Sequence, residues 1–278
     1  MTVMHSHFQN QLLAAIPPAE FARLAPDLEL LAMPVGQVLC ESGAPLHYAY
    51  FPTGCILSLQ YLTKGGSSIE IAGIGREGML GIPLFLGGNN TPGRAFVRTD
   101  GEAYRIKAAP LKREFERGGK TMRLLLRYTH ARLTQTSLNL VCNRLHSTEQ
   151  KFCRQLLVTL DRTASDELKI TQELLGSMLG VRREGITEAA GNLQKLGLIH
   201  YHRGHIKVID RAGLERMVCD CYEEGKKEFD RLMLPVTQNR PNFLRRTGDR
   251  KVPAAWQGVT AQRAADEDTG TAHSRAST

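Results

Sequence analysis

With 278 residues, 42% of them hydrophobic and 23% charged, the chain has material for two ordinary folded domains, and none of its apolar runs approaches the ~20 residues that span a bilayer. The formal charge of +8 suits a polyanion partner but is unevenly placed. Nine Lys or Arg face two Glu between Arg105 and Arg132, whereas residues 147–215 carry ten basic against nine acidic side chains. Met1–Asn10 has neither the basic start nor the apolar stretch of an export signal, so the expected location is the cytoplasm, with the six cysteines as reduced thiols.

In chain order, Phe8 to Leu31 reads as short helices punctuated by Pro17, Pro18 and Pro26. From Ala32 to Ile106, short apolar segments alternate with Gly, Pro and Asn clusters. The segments are Gln37–Cys40, Tyr48–Phe51, Cys55–Leu62, Ser68–Ile74 and Ala95–Val97, with a hairpin turn expected at Lys64, Gly65 and Gly66. Close-spaced strands of this kind predict an antiparallel sandwich or jelly-roll barrel, placed over residues 1–118. Lys120 to Asn143 contains neither Pro nor Gly and predicts one long helix within 119–146. Leu126, Leu133 and Leu140 recur every seven residues beside the row Met122, Thr129 and Thr136. Such a helix either lies on its own barrel or forms a seam with a second subunit, and its length favours the dimer.

Residues 147–234 then read as helices Glu149–Asp161, Gln172–Leu179 and Arg183–Lys195, a β-wing Ile199–Ile209 turning at Arg203 and Gly204, and a last helix through Leu214–Leu232. The polar tail 235–278 is expected to be disordered. The fold class is therefore α+β: a jelly roll, a long helix and a winged helix-turn-helix.

The informative stretch is Ile170–Ile186. Thr171 can cap the first helix, Leu174, Leu175, Met178 and Leu179 form its inward stripe, and Gly180 permits the tight turn. Ile186, Ala189, Ala190 and Leu193 face the second helix inward, leaving Arg182, Arg183, Glu184, Thr187, Glu188 and Lys195 outward. A helix entering the major groove presents its first turns to the base edges. There Arg183 can donate twice to guanine and Glu184 can accept from cytosine, while Arg182 and Thr187 suit phosphate. The wing adds His200, His202, Arg203, His205 and Lys207. An ordinary helical pair with a solvated charged face is the bland alternative, and the basic-tipped wing weighs against it.

The cysteines Cys40, Cys55, Cys142, Cys153, Cys219 and Cys221 show no repeated CxxC spacing. Cys219 and Cys221 can be drawn with His200, His202 and His205 as a metal site, but the spacing fits no usual zinc pattern, so no metal is expected. There is no nucleophile elbow, no GxxxxGK[ST] loop and no HExxH, and no enzyme activity is expected.

From about Gln11 to Tyr222 the chain resembles the Crp/Fnr family of bacterial transcription regulators. The resemblance is carried by GREGM (Gly75–Met79), CNRLH (Cys142–His146), Gln172 and Glu173 with MLGVRR (Met178–Arg183), and LQKLGLI (Leu193–Ile199). It implies a cyclic-nucleotide-binding-type sensor barrel, a dimerisation helix and a DNA-binding winged helix-turn-helix. It also implies a homodimer on a near-palindromic double-stranded operator, and RNA polymerase as a further partner, with no membrane role. Arg183 and Glu184 fall on the family's base-reading pair. Glu188 stands where its second reading arginine would be, which implies a different operator.

By the same resemblance, Gly78, Gly81, Arg94, Ala95, Thr136 and Ser137 are the candidate effector-binding residues. Arg94 takes the place of the phosphate arginine, and Thr136 with Ser137 match the pair that meets the base. Met79 replaces the ribose-binding glutamate and cannot accept that hydrogen bond, so no cofactor is expected and a cyclic nucleotide is doubtful. Another small effector, or none, remains open. An iron–sulfur sensor of the family's kind lacks its N-terminal cysteine cluster here. The alternative function is a ligand-sensing module acting through protein–protein contacts without sequence-specific DNA binding.

Overall fold

The computed structural model describes residues 9–65, 68–163 and 167–233. All of these lie in one unit, Met1–Pro235. The tail 235–278, Phe8 and the Gly66 end of the expected hairpin turn lie outside the described residues.

Among the described residues two short helices come first, α1 (Gln11–Ala14) and α2 (Pro18–Leu24). Asn10, fully buried, caps α1 by accepting from the Leu13 N–H at 2.9 Å and donates to the Pro52 and Gly78 carbonyls, which ties this segment to the sheets. The sheets are antiparallel. One is ordered β1 (Glu29–Met33), β7 (Gly101–Lys107), β3 (Tyr48–Pro52). The other is ordered β2 (Val38–Cys40), β6 (Arg94–Thr99), β4 (Ile56–Leu62), β5 (Ser68–Ile74). Met33, Phe51, Tyr104 and Ile106 from the first and Leu57, Ile74, Ala95 and Val97 from the second share one core. That is the sandwich that the alternating apolar segments predicted.

β1 departs from the helical reading of Phe8–Leu31. Its helix-like leucines pair instead with the buried strand β7 (Leu30 opposite Tyr104), and Glu29 meets Arg105 at 2.7 Å across the pair. Here tertiary pairing outweighs local propensity.

Helix α3 (Ala108–Glu116) leads to α4 (Lys120–Leu145), the long helix. Its first half buries Leu124, Leu125 and Tyr128 against the sandwich. α5 (Thr148–Leu160) starts with a reciprocal capping box between Ser147 and Gln150. Strand β8 (Glu167–Lys169) follows, then α6 (Gln172–Leu179), α7 (Arg183–Lys195), β9 (Ile199–His202), β10 (His205–Val208), α8 (Arg211–Met217) and α9 (Cys221–Met233). These elements bury a second core of Phe152, Leu156, Leu175, Ile186, Leu193, Ile206 and Leu214 with their neighbours.

The single last helix expected over Leu214–Leu232 is broken. Val218 turns extended (φ −67, ψ 153), so α8 stops at Met217 and α9 starts afresh at Cys221. α9 then returns along α4, with Phe229 and Met233 reaching the sandwich core. Among the described residues no helix is long and apolar enough to cross a membrane.

Candidate nucleic-acid interface

The helix pair is built as its residues dictate. Thr171 accepts from the Leu174 N–H at 3.2 Å, satisfying one of the free donors of the first turn of α6. Gly180 ends α6 in the left-handed conformation (φ 63, ψ 34), where a side chain would be strained. Arg182 is the extended residue before α7, and three residues separate the two helices. Ile186, Ala189, Ala190 and Leu193 are buried on one side of α7. Arg182, Arg183, Glu184, Thr187 and Glu188 are exposed together on its N-terminal half.

The Arg183 guanidinium is already oriented. Its Nε donates to Gln172 Oε1 of α6 at 3.1 Å, which leaves the two terminal nitrogens for a paired donation to a base edge. Thr187 donates its hydroxyl to the Arg183 carbonyl at 3.1 Å. Glu184 and Glu188 remain exposed. Two carboxylates facing phosphates cost affinity unless one of them accepts from a base.

The wing is a three-stranded sheet ordered β8, β10, β9. The sequence signalled only its last two strands; β8 is three residues long, too short for a periodicity to show. Arg203 (φ 46) and Gly204 (φ 83) form its tip with two successive positive φ angles, the conformation a tight two-residue hairpin demands. The Ile170 N–H donates to the Gly204 carbonyl at 2.8 Å, so the tip is held beside the start of α6. His202, Arg203 and Lys207 are exposed, as are His200 and His205, the last meeting Glu167 at 3.2 Å.

The candidate effector residues are placed otherwise. Gly78 lies directly under Tyr128: a Cβ there would overlap the Tyr128 ring and hydroxyl. Met79 is buried, and the Tyr128 hydroxyl both accepts from its N–H and donates to its carbonyl at 2.9 Å. Gly81 has φ 126 and opens a short 3-10 turn, Ile82–Leu84. Arg94 meets Glu41 at 3.3 Å, and Ala95 is fully buried in β6. Thr136 and Ser137 each donate to a carbonyl one turn back on α4, Arg132 and Leu133, at 3.0 Å. None of these six lines the large cleft of about 520 Å³ between β5, α4, α5 and α9, whose walls carry Arg132, Arg154, Arg162 and Arg211.

Two further features were not legible. Cys219 and Cys221 gather with Cys142 and His146 rather than with the wing histidines. The helix-turn-helix also docks on the sandwich: Ser177 of α6 donates to the Ser68 carbonyl of β5 at 3.1 Å.

Residues 150–217 match the model of the Crp-like helix-turn-helix domain. The chain carries a Crp-like helix-turn-helix domain. Solved structures extend the likeness to the whole architecture. A transcriptional regulator of the Crp/Fnr family from Eubacterium rectale is 18% identical, with a TM-score of 0.60 over 74% of this chain and 96% of that one. FixK2 from Bradyrhizobium japonicum is 15% identical, with a TM-score of 0.59 over 69% of this chain and 98% of its own. The c-di-GMP responsive global regulator CLP of Xanthomonas campestris is 15% identical, with a TM-score of 0.55 over 70% of this chain and 100% of its own. Identities this low establish the fold. No curated protein sequence matches the chain. The chain thus joins a Crp-like helix-turn-helix domain to the fold of these solved structures.

Proposed function

We propose that the protein is a DNA-binding transcription regulator of the Crp/Fnr type that acts as a homodimer, each subunit laying α7 in the major groove of one half of a near-palindromic operator. The observation that carries the reading is the exposed N-terminal half of α7, with Arg183 braced by Gln172 beside a basic wing tip. Arg183 and Glu184 read bases, Arg182 and Thr187 hold phosphates, and His202, Arg203 and Lys207 follow the backbone next to the groove. Glu188 tunes the operator sequence, and Thr171 acts by fixing the start of α6.

Footprinting on the DNA upstream of the protein's own gene tests this. The expected result is protection of two half-sites about 34 Å apart, roughly one helical turn. Affinity should fall steeply with added salt as counterions are released from the phosphates. No protected site at low salt, with or without effectors, would sink the reading. A site placed beside a promoter would also show joint protection with RNA polymerase.

The sensor operates without a cyclic nucleotide in this reading. Met79 is buried where an acceptor for the ribose would be needed, and Thr136 and Ser137 already bond their own helix. Calorimetry with cyclic AMP, cyclic GMP and cyclic di-GMP should give no heat of binding. Micromolar affinity for any of them would reverse this conclusion.

A further inference from the structure

Cys142 sits in the last turn of α4, and His146 one turn later is its C-cap. The spacing of four puts both on one face of the helix. Cys219 lies in the break between α8 and α9, and Cys221 is the first residue of α9. The Cys142 and Cys219 sulfurs are 3.6 Å apart, the Cys221 sulfur is 3.7 Å from His146 Nδ1, and all four donor atoms lie within 4.8 Å of one another. We propose that these four side chains form a mononuclear zinc site that clamps the end of the long helix to the joint between α8 and α9.

The distances fit a single tetrahedral ion. Zn–S bonds of about 2.3 Å and Zn–N bonds of about 2.0 Å set tetrahedron edges of about 3.8 Å between sulfurs and about 3.5 Å between sulfur and nitrogen. An iron–sulfur cluster divides its ligands among several irons and spreads them further apart. A disulfide needs about 2.05 Å, and all six cysteines are free. Three thiolates and one imidazole are also the donor set that selects zinc among the common divalent ions.

Two surrounding groups point the same way. His146 turns Nδ1 to Cys221 and Nε2 to Asp220 Oδ1 at 3.5 Å, the carboxylate backing that a metal-bound imidazole uses to fix its tautomer. Arg154 lines the same cleft as Cys142 and Cys221, acts electrostatically on both thiols, and has a buried Nε that makes no hydrogen bond. Three thiolates with one Zn²⁺ leave one net negative charge, which the Arg154 guanidinium balances. The three buried sulfurs cluster with Val218 at their edge. The sequence hid the site because its two halves lie 77 residues apart.

The test uses the full-length protein purified without chelator. Elemental analysis should find one zinc per chain. Replacement by Co²⁺ should give the ligand-field absorption of tetrahedral cobalt and a sulfur-to-cobalt charge-transfer band. Cys219→Ser and His146→Ala should each weaken binding at least tenfold, and chelation should lower the thermal midpoint. A triple His200→Ala, His202→Ala, His205→Ala variant should keep its zinc. Protein that takes up neither metal, a cobalt spectrum without charge transfer, iron with acid-labile sulfide, or a Cys142–Cys219 disulfide in place of metal would each overturn the proposal. The cobalt spectrum of the unaltered protein decides the matter even if the cysteine variants fail to fold.

Discussion

The Tyr128 hydroxyl is the point where the long helix and the Gly78–Gly81 loop are joined. It serves both polar groups of the buried Met79 peptide and lies over Gly78, a position that tolerates no side chain. Burial pushes this phenol above its usual range, so it remains a neutral donor and acceptor at any physiological pH. Tyr128→Phe deletes one oxygen yet leaves a buried N–H and a buried C=O without partners. The expected loss is about 1–3 kcal/mol in denaturant unfolding. No measurable loss would mean that water enters the gap. On the DNA side, Arg183→Ala should cost about 1–3 kcal/mol at the operator and relax base preference at one position. Gln172→Ala, which removes only the brace, should cost less and keep the preference. Equal effects of the two variants, measured by gel shift on permuted operators, would show that Gln172 itself reads DNA.

Between elements, the decisive contact joins β5 and α6. Arg98 of β6 is fully buried and pairs with Glu70 of β5 at 3.1 Å, while the Ser58 hydroxyl donates to the other carboxylate oxygen at 2.6 Å. Arg98 also reaches the sulfur of Met178 on α6, and Ser177 meets Ser68 beside it. Burial pushes the Arg98 guanidinium below its usual range, opposed chiefly by Glu70. Glu70→Ala therefore strands a buried charge under the helix-turn-helix, at an expected cost of about 3–5 kcal/mol. Glu70→Gln, which keeps an acceptor, should cost less; equal losses would show that packing, not charge, holds the contact. This contact was invisible to sequence reasoning because 80 residues separate Arg98 from Met178. The recognition pair itself was legible to its end residues, since a cap, an apolar stripe and a turn glycine all act within one or two helical turns. β1 was misread because its leucines satisfy a helical period as well as a strand. The break at Val218 carried no proline or glycine to announce it.

For the molecule as a whole, the proposed homodimer would meet along α4. One face of α4 is covered by its own sandwich, through Leu124, Leu125 and Tyr128. α9 covers another; a Cβ at Gly225 of α9 would touch Leu138. The heptad row is left bare: Leu126 is 42% exposed, Leu133 64% and Leu140 72%. Of the two readings of this row, packing on its own barrel is thus excluded for Leu133 and Leu140. Three leucines at heptad spacing on an exposed helix suit a second copy of the same stripe, which the proposed homodimer would supply as a parallel two-helix seam. Leu133→Glu with Leu140→Glu places like charges across that seam without touching either core. The doubly substituted protein should elute as a monomer in light-scattering chromatography, with its helix content and thermal unfolding of the subunit retained. Binding to a two-half-site operator should then drop by about 10²–10⁴-fold, because the second half-site no longer comes tethered to the first. Binding to an isolated half-site should hardly change. A variant that remains dimeric would place the interface off this helix, and one that loses half-site binding as well would show that the substitutions had damaged the fold rather than the assembly.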